Sequence, residues 1–88
     1  MFDWSDEKDV KIRRERGIGF QEIVFHIERG DVLFVGPHPN AEKYPHQKIM
    51  YVQVEDYVYL VPYVESEGKR FLKTIIPSRK ATKRFLEE

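Results

Sequence analysis

The chain contains no cysteine in its 88 residues. That single absence excludes a disulfide framework, a thiolate nucleophile and every cysteine-based zinc motif. The fold must therefore hold by packing alone, or with help from a partner subunit. No apolar run approaches the roughly 20 residues that a membrane-spanning helix needs, so no membrane partner is expected. The start Met1-Phe2-Asp3-Trp4-Ser5-Asp6 has neither the basic nor the apolar region of a secretory leader. The expected location is cytoplasmic. Net charge is also lacking, because 15 Lys and Arg balance 15 Asp and Glu, and bulk composition does not point to a nucleic acid. No repeat, low-complexity tract or linker interrupts the chain, which reads as one domain over residues 1–88.

What is present argues for a packed core. Hydrophobic residues make up 41% of the chain, and Val, Ile, Phe and Tyr gather into runs, unlike a disordered, charge-dominated polymer. The charge is unevenly spread. Residues 69–88 hold seven cations, Lys69, Arg70, Lys73, Arg79, Lys80, Lys83 and Arg84, all of them before the first acid, Glu87. Such an asymmetry is an electrostatic footprint for an anionic partner, or else a solvated lysine-rich face.

Local signals predict an α+β domain in the order ααββββα: two N-terminal helices, a four-stranded antiparallel sheet and a C-terminal helix. Ser5 can cap a first helix that Gly17 ends, with Val10 and Ile12 as its apolar anchors. Phe20, Ile23, Val24 and Ile27 make one helical stripe before Gly30. Strands are expected over 32–35, 48–55, 57–65 and 70–76, and Ser78 can cap a last helix from Arg79 to about Glu87. In the third strand both alternating faces are apolar, and its tyrosines fit the wetter one. Pro62 within it cannot donate to a ladder, which predicts a bulge or an edge-facing position.

The segment from Arg70 to Lys80 is the best candidate for chemistry. Alternation along a strand sends Phe71, Lys73 and Ile75 to one face, leaving Lys73 a cation among apolar neighbours. There it can meet a phosphate and exchange protons, with Arg79 and Lys80 stabilising charge as a ribose 2′-OH attacks. Alternatively Lys73 reaches out to solvent and Arg79 and Lys80 merely decorate a helical turn. Arg70, Lys83 and Arg84 would add backbone contacts to a nucleic acid. His38, Glu42 and His46 have the spacing of metal ligands on a helix, but Pro37, Pro39 and Pro45 forbid that helix. His46 remains an acid or base candidate, Tyr63 a lesser one, and His26 reads as a satisfied, partly buried residue. No metal or cofactor is expected.

A family resemblance covers nearly the whole chain. Phe2-Asp3-Trp4, Lys8, Lys11 and Arg16-Gly17-Ile18-Gly19-Phe20 with Glu22 resemble the N-terminal signature of BrnT-type toxins, usually F-x-W-D-x-x-K followed by H-G-I-x-F-x-E. Lys73-Thr74-Ile75-Ile76-Pro77-Ser78-Arg79-Lys80-Ala81-Thr82 is similar to their R-I-I-S-A-R-x-A-T segment. Arg16 stands where the family usually has His, and Lys73 where it has Arg. The resemblance implies a RelE/ParE-like fold, ribonuclease activity on RNA, and a hetero-oligomer with a neutralising ribbon-helix-helix antitoxin. Catalysis would then fall to Arg79, Lys73 and Lys80, with His46 beside them. A non-catalytic binding module and a gyrase-inhibiting toxin are the other functions open to such a chain.

Overall fold

A computed structural model describes residues 1–87. The elements in chain order are β1 (Phe2–Asp3), α1 (Asp6–Arg16), α2 (Phe20–Glu28), β2 (Val32–Pro37), β3 (Lys48–Val54), β4 (Tyr57–Ser66), β5 (Lys69–Leu72), β6 (Ile76–Pro77) and α3 (Arg79–Leu86). The expected four-stranded antiparallel sheet is therefore corrected to a six-stranded mixed sheet in the order β1-β5-β4-β3-β2, with β6 also on β4. Among the described residues no helix is long and apolar enough to cross a membrane.

Two features make the difference. The first is β1, which precedes the helices and pairs in parallel with β5, Phe2 against Arg70 and Asp3 against Phe71. Two residues are too few to show a period in sequence. The second is a break in the strand expected over 70–76. Leu72 pairs with Tyr63, but Ile76 pairs with Leu60, so four steps of one chain face three of the other. Pro62 explains the place of the slip. Lys73 N–H donates to the Pro62 carbonyl at 2.8 Å, and in an antiparallel pair the return bond would come from the Pro62 nitrogen, which carries no hydrogen.

The caps form as their side chains dictate. Ser5 Oγ accepts from Lys8 N–H at 3.3 Å, and Gly17 ends α1 in the left-handed region at φ 72°. Asp9 then ties the two helices together: its Oδ1 accepts from the Phe20 N–H at 2.8 Å and its Oδ2 from Arg13 Nε at 3.1 Å.

The main core lies between α1, α2 and one face of the sheet. It joins Ile12, Ile18, Phe20 and Ile23 to Met50, Val52, Val61, Tyr63, Leu72 and Ile75. Val10, expected as an anchor, is 55% exposed, so Ile12 alone holds the α1 seam. The tyrosine face of β4 is the one the helices cover, contrary to the expectation that tyrosines would take the wetter side. Tyr63 is 5% exposed and Tyr59 packs against the core, because an aromatic ring gains more from burial than its single hydroxyl loses. On the opposite face Ile49 and Val58 are buried, as is Ala81 of α3, and Phe85 of α3 lies 5.6 Å from Tyr51 and 6.4 Å from Phe34 by ring centroids.

Candidate nucleic-acid interface

Helix α3 starts at the edge of β4 and crosses the sheet toward β2. Ser78 Oγ caps it by accepting from Ala81 N–H at 3.0 Å, and Ser78 N–H donates to the Val58 carbonyl at 3.0 Å. Thr82 fixes the second turn. Its Oγ1 accepts from Val58 N–H at 2.9 Å and donates to the Ser78 carbonyl at 2.7 Å. With Ala81 and Thr82 buried and Phe85 inward, the helical period turns Arg79, Lys80, Lys83 and Arg84 outward, and all four are exposed.

Lys73 lies on this same side of the sheet. Phe71 pairs with Val64, on the face away from the main core, and Lys73 Nζ sits 5.4 Å over the Phe71 ring. Ile75 does not accompany them as simple alternation predicts. It is fully buried in the main core with Leu72, since the slip before Ile76 breaks the alternation. Lys73 is exposed rather than half-buried. Its backbone bonds to Pro62 and that of Ser78 to Val58, so the two anchor points are four residues apart along β4, roughly 13 Å at the rise of a strand.

The seven C-terminal cations do not form one patch. Arg70 pairs with Glu65 on the helix-covered side, Nε to Oε2 at 3.6 Å, and its guanidinium lies 5.7 Å over the Phe2 ring. It is the one member of the seven in an ion pair among the described residues. The opposite face keeps Lys69, Lys73, Arg79, Lys80, Lys83 and Arg84 unpaired among the described residues, and no acid lies within α3.

His46 falls on the other side as well. It lines a cleft of about 410 Å³ with Pro45, Lys48, Tyr63 and Glu65. Lys48 and Tyr63 are directly opposed across β3 and β4. Burial pushes the Tyr63 phenol above its ordinary value, Arg70 pulling it down and Glu65 raising it. The sheet thus separates His46 from Lys73, Arg79 and Lys80. Glu65 is a residue that sequence reasoning did not single out, and Gln47-Lys48 stands there only as the nearest match to the family's E-x-R; what brings Lys48 and Glu65 together with Tyr63 is cross-strand register, which no local pattern carries.

Of the three residues with ligand spacing, His38 is occupied within its loop, Nδ1 accepting from Asn40 N–H at 3.0 Å and its ring 4.5 Å from Tyr44. Among the described residues no group of three His, Asp or Glu is placed to hold a metal ion. His26 is partly buried, with Nδ1 2.8 Å from Asp31 Oδ2, an oxygen that Arg29 Nε also meets at 3.1 Å.

The geometry defines an α+β domain with a basic helix on one sheet face and a polar cleft on the other. Comparison with protein-family models, with curated proteins and with solved structures gives no match.

Proposed function

We propose that this chain is the toxin component of a type II toxin–antitoxin pair, akin to BrnT-type toxins. In this reading it acts in the cytoplasm as a metal-independent endoribonuclease and is neutralised by a ribbon-helix-helix antitoxin. The observation that carries the reading is the surface of α3 and the end of β5, where exposed cations stand free of carboxylate partners among the described residues. Lys73, Arg79, Lys80, Lys83 and Arg84 suit the phosphates of an RNA backbone, whose binding is dominated by such charges. The motif resemblance, which runs through the same segment, supports it.

The test is incubation of the purified chain with RNA in the presence of a chelator. Cleavage is expected to persist, and Arg79→Ala is expected to weaken RNA binding and slow cleavage at subsaturating RNA while the far-ultraviolet spectrum stays unchanged. RNA left intact under conditions where expression still arrests growth would overturn the nuclease reading. One observation favours the alternative of a non-catalytic binding module or a gyrase-inhibiting toxin: Lys73 and the outward residues of α3, Arg79, Lys80, Lys83 and Arg84, offer no imidazole or carboxylate base.

A further inference from the structure

We propose that single-stranded RNA is cut in the cleft of Pro45, His46, Lys48, Tyr63 and Glu65, with His46 as general base and the Tyr63 hydroxyl as general acid. This inference rests on the nuclease reading and relocates its chemistry, leaving α3 and Lys73 to hold the flanking backbone.

The basic face can attract a phosphate, but an exposed ammonium or guanidinium does not take the proton of an attacking 2′-OH. The cleft supplies what that face lacks, an imidazole and a phenol, and sets them with the Lys48 ammonium around one space of about 410 Å³. The loop backbone on either side of His46 is tied by hydrogen bonds. Tyr44 N–H donates to Asn40 at 2.9 Å, Gln47 N–H to Tyr44 at 3.2 Å and His38 N–H to Gln47 at 3.3 Å, all to backbone carbonyls. The tied loop fixes where the His46 backbone stands beside the cleft, and the side chain itself stays exposed.

Tyr63 is the second argument. Its ring is buried, yet its hydroxyl makes no hydrogen bond among the described residues and is not among sealed, unsatisfied atoms. The hydroxyl therefore opens into the cleft. Lys48, opposite it in register, can stabilise the charge that develops on the phosphate. Glu65 would repel that phosphate, but Arg70 stands 3.6 Å from its carboxylate.

A second depression, of about 340 Å³, continues the cleft toward the sheet edge and shares Pro45 and Lys48 with it. Val35, Pro37 and Pro45 give it an apolar wall, suited to the face of an unpaired base. A groove with these walls takes an extended single strand, whose bases are free, rather than a duplex.

The step balances without a co-reactant. The 2′-O–P bond forms as the P–O5′ bond breaks; His46 takes the 2′-OH proton and Tyr63 gives its own to O5′. The products are a 2′,3′-cyclic phosphate and a 5′-hydroxyl. Imidazolium and phenolate then return to their starting forms by proton exchange through solvent.

The experiment is single-turnover cleavage of an RNA oligonucleotide, paired with binding of the same oligonucleotide carrying 2′-O-methyl groups. His46→Ala, in an exposed side chain, and Tyr63→Phe, which keeps the packed ring, are each expected to lower the saturated rate about 100-fold or more. Binding of the methylated strand should stay at the wild-type level. If both variants cut at the wild-type rate, the cleft assignment is overturned while the nuclease reading stands. If the wild-type chain cuts no RNA, both fall.

Discussion

Tyr63 carries two consequences of one position. Its ring fills the core beside Leu72 and Ile75, and that burial raises the phenol above its ordinary value. Tyr59 is raised as well, by burial first and then by Tyr57, Glu22 and Glu55. A phenol held neutral in the fold contributes stability that is complete below the unfolded value and is lost as pH climbs through the folded one. Denaturant midpoints measured from neutral pH to beyond 10 should therefore fall at the alkaline end. Tyr63→Phe should shallow that fall, because it removes one of the two groups that must ionise. An alkaline limb identical in wild type and variant would count against the assignment.

At the scale of elements, the ends of helices were legible and the faces of strands were not. Ser5, Gly17 and Ser78 act through local backbone geometry, so their roles survive from sequence to structure. Alternation in β4 announces two faces but not which helices cover each, and the aromatic face proved to be the one beneath α1 and α2. The slip between β5 and β6 was invisible because Lys73-Thr74-Ile75 suits a strand in either register. Its cause, Pro62, lies in the neighbouring strand, where the expected irregularity was placed. The candidate site divided in the same way. The outward cations of α3 followed from helical period, whereas the pairing of Lys48 with Tyr63 needed the long-range register.

The docking of α3 offers a direct measurement. Thr82 is buried and bridges Val58 N–H to the Ser78 carbonyl, so Ala81-Thr82, part of the segment that resembles a toxin motif, has a structural role of its own. Thr82→Val keeps the shape and strands the Val58 donor. It should cost about 1–3 kcal/mol in chemical denaturation, and Thr82→Ser should recover most of the loss. An unchanged midpoint in Thr82→Val would show that α3 is held by Phe85 and Ala81 alone.

For the whole molecule, a zero net charge conceals a polarised one. The face with α3 presents cations that are unpaired among the described residues, and α3 holds no acid before its C-cap, Glu87. Binding to single-stranded RNA should weaken with salt, with a logarithmic slope of about 0.7 per phosphate neutralised. Lys80→Ala, Lys83→Ala and Arg84→Ala should each reduce that slope by up to about this amount, as measured by titrations at several salt concentrations. Arg70→Ala should change it least, because Arg70 already faces Glu65. Equal slopes in all four variants would place the RNA on another surface.

The pairing of β1 with β5 bears on how the chain reaches its fold. The Met1 carbonyl accepts from Arg70 N–H at 2.9 Å, and Phe2 and Asp3 align with Arg70 and Phe71. These partners are separated by most of the chain, and the entropy of closing so long a loop is not recovered by a two-residue ladder alone. The hairpin of β3 and β4, with its short turn, has no such handicap. Folding should begin there and end with the first residues closing onto an assembled sheet, so β1 is the segment most readily opened again without unfolding the rest.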